Sequence, residues 1–327
     1  MVAWEQLAVP AAPSAIAGND VAAGVPFREL HGDWVAEANG TRVRIDGRTG
    51  WLESLKLSGR EILTFPVKPS FWRVPIDNDI GWKTPKLMGA WKDAVDKATL
   101  LSLAPGASPD MLAARLKLAT GHCEMTYALH ADGTLRVEMA LEPADKVPEL
   151  PRVGMQFAIP REMNAVRWFG RGPHENYQDR KSGAAIAIHQ STVNEWITPY
   201  VRPQENANRS DVRWVEFVGD DGIGLRVEAA GLPFGVSAWP YSAADLAKAT
   251  HDYQLPQRDF ITVNVDGAQM GVGGDNSWGL PVLKPYRLKS GQSHRFAITF
   301  RSTRSNEPQN ETKADQSVPS TKSPADS

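Results

Sequence analysis

The amino-acid sequence predicts an all-β protein: a large sandwich of many short strands with few short helices. Three observations lead there. Runs of alternating apolar and polar residues recur at short spacing, the pattern of half-buried strands. The 27 glycines and 24 prolines are spread along the chain, which suits frequent turns. Helical windows are scarce, so the strand–helix alternation of barrels and doubly wound sheets is absent.

The elements follow in order. Val2 to Val9 alternates only loosely, and Pro10-Ala11-Ala12-Pro13 and a Gly/Ala-rich connector lead to Pro26. A strand with no partner before it reads as the end of something larger, so residues 1–26 are expected to be a remnant strand plus connector. From Trp34 the alternation becomes regular. Thr41 to Asp46 and Trp51 to Leu57 are expected strands, separated by the turn Gly47-Arg48-Thr49-Gly50. Met111 to Leu118, Glu124 to His130 and Leu135 to Leu141 follow, the last two joined by Ala131-Asp132-Gly133-Thr134. Val153 to Ile159, Ala165 to Phe169, Trp214 to Val218 and Gly224 to Ala229 continue the pattern, as do Phe234 to Trp239, Phe260 to Val265 and His294 to Arg301. Gly89 to Leu101 and Ser242 to Thr250 are the expected helices. The main domain is placed at 27–302. Residues 303–327 hold almost no apolar side chain, so a disordered polar tail is expected there. Its Asn310-Glu311-Thr312 matches a glycosylation acceptor, which carries no weight without secretion.

Composition excludes several classes. The chain has 327 residues, with 36 Lys+Arg against 38 Asp+Glu and a formal net charge of −2. That balance gives no electrostatic reason to expect a nucleic-acid or membrane-surface partner. A chain of this length buries roughly 75% of its unfolded surface and needs no staples. Cys123 is the only cysteine, which rules out an internal disulfide and a zinc site built on cysteine pairs. There is no run of about 18 apolar residues to span a membrane. The N-terminus lacks a basic stretch followed by an apolar core, so the expected compartment is the cytosol (cytoplasmic). The 11 tryptophans suit cores, interfaces and sugar platforms alike.

Four stretches break the alternation while carrying polar and aromatic residues, as functional loops do. Phe71 to Trp82 contains Asp77-Asn78-Asp79 and ends near Gly81; an Asx-rich turn accounts for it as well as a site does. Gly170 to Lys181 holds His174 and Glu175, a base and its partner or a polar loop in which a Glu and an Arg brace one another. Trp196 to Arg209 offers Glu205 and Arg209 as a buried or half-buried ion pair, a structural clasp. Met270 to Gly279 is glycine-rich and carries Asp275, Asn276 and Trp278. No strand–Gly-x-Gly-x-x-Gly–helix context surrounds it, so it is not a nucleotide fingerprint. It suits either an indole platform for a flat ligand face, such as a sugar, or a turn with the Trp tucked inward.

In order and wording, these stretches resemble the C-terminal, small-chain domain of glycoside hydrolase family two β-galactosidases. The carriers are Pro75-Ile76-Asp77-Asn78-Asp79-Ile80-Gly81, Gly172-Pro173-His174-Glu175-Asn176-Tyr177, Glu205-Asn206-Ala207-Asn208-Arg209 and Gly271-Val272-Gly273-Gly274-Asp275-Asn276-Ser277-Trp278. The departures are Ala207, where glycine is common, and Gln178, where proline is common. The resemblance covers about 27–302 and implies a β-supersandwich related to galactose mutarotase. Residues 1–25 are similar to the end of the immunoglobulin-like domain that precedes this module.

The resemblance also implies a division of labour. Such enzymes cut β-galactosides with two glutamates on a (β/α)₈ barrel, which needs about 250 residues of strand–helix alternation. That alternation is absent here, so no catalytic residue is assigned to this chain. By similarity, Trp278 stacks on the sugar, and the loop starting near Gly81 moves over it. Asp77, Asn78, Asp275 and Asn276 are the other expected substrate-binding residues, and His174, Glu175, Glu205 and Arg209 the expected clasp. The implied partner is a β-galactosidase large chain or barrel domain, and the implied substrate a β-galactoside. No cofactor or metal is expected in this chain, because relatives hold Mg and Na elsewhere. Two alternatives stand beside this reading. One is a stand-alone galactose-binding module. The other is a mutarotase-type epimerase using His174 with Glu175 or Glu205.

Overall fold

The structure is a computed structural model and describes Gln6 and residues 23–106, 108–274, 276 and 279–304. Among these residues the chain forms twenty strands in two ten-stranded sheets. The first sheet runs β14 (Ala185–Thr192), β13 (Ala165–Gly172), β16 (Trp214–Val218), β17 (Ile223–Ala229), β20 (His294–Arg304), β11 (Leu135–Pro143), β10 (Gly121–His130), β9 (Met111–Leu118) and β8 (Thr99–Pro105), with β1 (Gly24–Val25) also on β10. The second runs β15 (Arg209–Val212), β18 (Phe234–Trp239), β19 (Phe260–Gln269), β12 (Arg152–Pro160), β7 (Phe65–Ser70), β5 (Leu52–Leu57), β4 (Thr41–Ile45), β3 (Asp33–Ala38) and β2 (Arg28–Leu30), with β6 (Arg60–Glu61) also on β5. Neighbouring strands are antiparallel throughout.

Alternation decides which face of each strand is buried. In β12, Val153, Met155, Phe157 and Ile159 turn into the core, and in β19 Ile261, Val263 and Val265 do the same. Leu135, Val137, Met139 and Leu141 of β11 supply the opposing layer. Phe157 of the second sheet meets Phe300 of the first edge to face, with ring centroids 5.6 Å apart. Trp91, Trp168, Trp196 and Trp239 are fully buried. Each large apolar side chain buried this way contributes roughly 1.5–3 kcal/mol. Cys123 faces this core as a free thiol, and burial pushes its pKa up, so it is inert packing.

The short helices are α1 (Asp77–Gly81), α2 (Thr84–Leu87), α3 (Val193–Trp196) and α4 (Ala243–Lys248). The last falls inside the expected Ser242–Thr250 window. Its N-terminus is closed by the Ser242 hydroxyl, which accepts from the Asp245 N–H at 3.0 Å. The helix expected over Gly89–Leu101 does not form. Gly89–Trp91 makes one 3₁₀ turn, Thr99 already belongs to β8, and separate turns fill the gap. Trp91, Ala94 and Val95 are buried there without a continuous helix.

Two expected boundaries shift. Gly24–Val25, assigned to the connector, pairs with Leu129 and His130 of β10. Strand β20 runs through Thr303 and Arg304, two residues into the expected tail. Residues 305–327 and the Val2–Val9 strand, apart from Gln6, lie outside the described residues. Among the described residues, no helix is long and apolar enough to cross a membrane.

Candidate functional site

Strand register brings the four stretches together. Strand β7 ends at Ser70 opposite Gly154, and β19 ends at Gln269 opposite Arg152. The chain after each strand therefore leaves the sheet beside the start of β12. Arg152 sits at that start, fully buried.

A buried charged cluster joins the stretches. Arg73 donates to Asp79 through Nε at 3.0 Å and Nη2 at 2.9 Å, a two-pronged geometry suited to guanidinium and carboxylate. The same guanidinium donates to the Met270 and Gly271 carbonyls at 2.6 and 2.9 Å. Asp79 also accepts from the Ile76 N–H at 3.1 Å, which closes the start of α1. Asn78 Nδ2 donates to the Val272 carbonyl at 2.9 Å. Asp179 Oδ2 accepts from the Val272 and Gly273 N–H groups at 2.8 and 2.6 Å. The backbone leading into the glycine-rich loop is thus held by three side chains from two other stretches.

The third stretch is tied in likewise. Gln204 accepts from the Asp77 N–H at 3.1 Å and donates to Asp77 Oδ2 at 3.0 Å. Glu175 accepts from Arg180, from the Tyr200 hydroxyl at 2.7 Å and from the Ala207 N–H at 2.6 Å. Asn176 and Asn208 exchange bonds, with Asn208 Nδ2 2.7 Å from the Asn176 carbonyl.

Glu205 and Arg209, expected to pair with each other, do not. Glu205 accepts from Arg152 Nη2 at 2.5 Å and from Gln269 Nε2 at 3.4 Å. Arg209 lies over the Trp196 ring at 4.8 Å and the Trp168 ring at 5.6 Å, and donates to the Ala207 carbonyl at 3.0 Å. A four-residue spacing joins side chains on a helix. Here the backbone is not helical, and Ala207 has a φ of 68°. Burial pushes the Arg209 guanidinium down to about 10, against the pull of Glu175, so it stays cationic at neutral pH.

Three carboxylates and two arginines share the innermost layer. Arg152 Nε lies 3.0 Å from Asp266, whose side chain occupies the space left by Gly154. A Cβ at position 154 would stand 2.1 Å from Asp266 Oδ1, so only glycine fits. Arg73 answers Asp79 and Arg152 answers Glu205, which leaves Asp266 the surplus acid. Burial, aided by the Glu205 charge and opposed by Arg152, pushes Asp266 up to about 7. Tyr177 is buried near Glu175 and Glu205 and its pKa is raised well above the usual phenol range, so it remains a neutral hydroxyl.

At the surface of this cluster stand Asp77, Gly81 and Asn276, all exposed, with Asn78 half-buried. Gly279 approaches Gly81 so closely that a Cβ there would lie 2.7 Å from the Gly81 carbonyl oxygen. The stretch around α1 and the far end of the glycine-rich loop are therefore in contact. Asp275 and Trp278 lie outside the described residues. His174 is exposed, and among the described residues it joins the clasp only through its backbone, whose carbonyl accepts from Asn176 Nδ2 at 2.9 Å. With Glu175 held by Arg180 and Glu205 held by Arg152, the acid–base set of an epimerase built on His174 is not assembled.

A family model described as the β-galactosidase small chain matches residues 37–300. The chain belongs to the β-galactosidase small-chain family. Among curated relatives, the β-galactosidase of Priestia megaterium is 37% identical over 261 residues, covering 78% of this chain and 25% of that protein. That of Klebsiella pneumoniae strain 342 is 33% identical over 305 residues, covering 88% of this chain and 28% of that protein. The small chain thus spans about a quarter of the length of these relatives. Among solved structures, a galactose mutarotase-like protein from Lactobacillus casei aligns with 83% of this chain and 100% of its own, with a TM-score of 0.49 and 11% identity.

In this small chain, Arg73, Arg152, Asp179, Asp266 and Gln269 organise the site although sequence patterns did not single them out. A signal was available for some. Arg73 and Arg152 stand in otherwise apolar surroundings, Phe71-Trp72-Arg73-Val74 and Leu150-Pro151-Arg152-Val153. A charge at a core position demands a counter-charge. Thr262, Asn264 and Asp266 occupy alternate positions of β19 and so share one polar face. Their partners, being distant in sequence, were not readable.

Proposed function

We propose that this small chain forms one wall of a β-galactoside site whose bond is cut by carboxylates carried on a large chain or barrel domain. Retaining glycoside hydrolysis needs two carboxyl groups about 5–5.5 Å apart, one free to protonate and one free to attack. In the clasp, Asp79, Glu175 and Glu205 are each held by an arginine, and Asp266 is fully buried beneath them, out of reach of a ligand. They brace a scaffold and are unavailable as acid or nucleophile.

The observation that carries the reading is the anchoring of the Met270 to Gly273 backbone by Arg73, Asn78 and Asp179, three side chains from two other stretches. That anchoring fixes the base of the loop bearing Trp278, while Asp77, Gly81 and Asn276 remain at the surface. In this reading the indole stacks on the apolar face of the galactose ring, and Asp77, Asn78, Asp275 and Asn276 meet its hydroxyls. Membership of the small-chain family supports a large-chain partner.

Reconstitution tests it. Mixing the purified chain with its large chain should yield hydrolysis of nitrophenyl β-galactoside that neither has alone. Absence of both activity and a complex on size exclusion would overturn the reading.

A further inference from the structure

The outer face of the second sheet carries a cleft that the clasp does not use. Its volume is about 400 Å³, and it lies over β7, β12 and β19 beside the start of α4. That volume is within the range of about 300–1,000 Å³ typical of small-molecule sites. We propose that it binds a neutral pyranoside, a sugar site separate from the Trp278 loop and independent of the role proposed for that loop.

Three features of the lining select this class of ligand. The first is a wall of rings. Phe65 is 50% exposed and meets Phe260 edge to face at 4.9 Å, with Trp51 also lining the cleft. Phe260 is buried behind Phe65, and the Lys68 ammonium stands over the Trp51 ring at 5.5 Å, so the exposed Phe65 ring is the surface that suits the C–H face of a pyranose. The second is charge balance. Lys68 pairs with Asp96 at 2.9 Å, and Arg258 pairs with Asp245 at 2.6 Å. A charged ligand would have to displace one of these counter-ions, so a neutral one is favoured. The third is an available acceptor. Gln156 gives its amide N–H to Asn264 Oδ1 at 2.8 Å, and among the described residues nothing engages its carbonyl oxygen. A purely apolar ligand would strip water from that oxygen without replacing the hydrogen bond, whereas a sugar hydroxyl supplies one.

Alternation puts Gln156 and Ala158 of β12 on one face with Phe260 and Thr262 of β19, and an irregularity in the pairing of β7 with β12 brings Phe65 and Lys68 beside them. Gln156 and Thr262 point away from the core that Phe157, Ile261 and Val263 fill. Asn264 also accepts from Arg152 Nη1 at 3.4 Å, so a line of hydrogen bonds runs from the cleft to the buried cluster.

Saturation-transfer NMR titration of the full chain with methyl β-galactoside is the test. Saturable binding should appear, weakened three- to tenfold in Phe65→Ala and in Gln156→Leu, and unchanged in Leu232→Ala, at an exposed residue outside the cleft lining. Phe65 is half-exposed and Gln156 partly so, and the two variants alter different contacts. No saturable binding, or binding that neither cleft variant weakens, would overturn the proposal. Binding lost only in Trp278→Ala would overturn the cleft while supporting the wall.

Discussion

Arg152 lies between two acids, with Nη2 2.5 Å from Glu205 and Nε 3.0 Å from Asp266, all three side chains removed from solvent. One cation thus links strand β12, strand β19 and the loop before β15. The chain bears this arrangement in a region where water cannot screen it, so the pieces are not interchangeable.

Removing the cation should be costly. Arg152→Met leaves two acids in a buried site, and breaking a buried pair in this way typically costs about 3–5 kcal/mol. Urea unfolding should show a loss of that order. Arg44→Ala, at a partly exposed pair with Asp33, should lose no more than about 1 kcal/mol. Glu205→Gln should fall between the two, because Asp266 can then ionise against Arg152.

The pH dependence follows from Asp266. Its pKa rises from 3.8 to about 7 on folding. Between those values the folded protein holds a proton that the unfolded chain has released. The folded state binds more protons, so this group lowers stability as pH rises from about 4 to about 7. Unfolding free energies measured across that window should fall less steeply in Asp266→Asn than in the wild type. Equal slopes would show that Asp266 does not titrate there.

Ala207 sits in the left-handed region at φ 68° while its N–H is held by Glu175 at 2.6 Å. A non-glycine residue in that region costs roughly 1–2 kcal/mol, and glycine offsets part of this through its larger unfolded-state entropy. Ala207→Gly should therefore stabilise the protein by up to about 1 kcal/mol, readable as a higher urea midpoint. A loss of stability would contradict the strain.

The strands were legible where one face is buried. Met111–Leu118, Trp214–Val218 and Phe234–Trp239 begin and end where alternation places them. Strand β7 escaped because Pro66 and Pro69 argue against a strand, yet it lies inside the sheet with an interrupted register. Helix α1 read as an Asx turn because five residues carry too little periodicity to see. The four site stretches were legible from their departures from alternation. The pairings within them were not: Glu205 looked to Arg209, four residues away, while its partner Arg152 comes 53 residues earlier in the chain. Contacts of that separation are set by sheet register, which local pattern does not encode.

The central claim is that this chain lends a sugar-facing indole to a site completed elsewhere. The Michaelis constant of the reconstituted enzyme carrying Trp278→Ala tests it most directly. An aromatic contact of this kind is worth about 0.5–1.5 kcal/mol, so KM for nitrophenyl β-galactoside should rise roughly two- to tenfold while the complex still assembles. An assembled complex with an unchanged KM would contradict the claim.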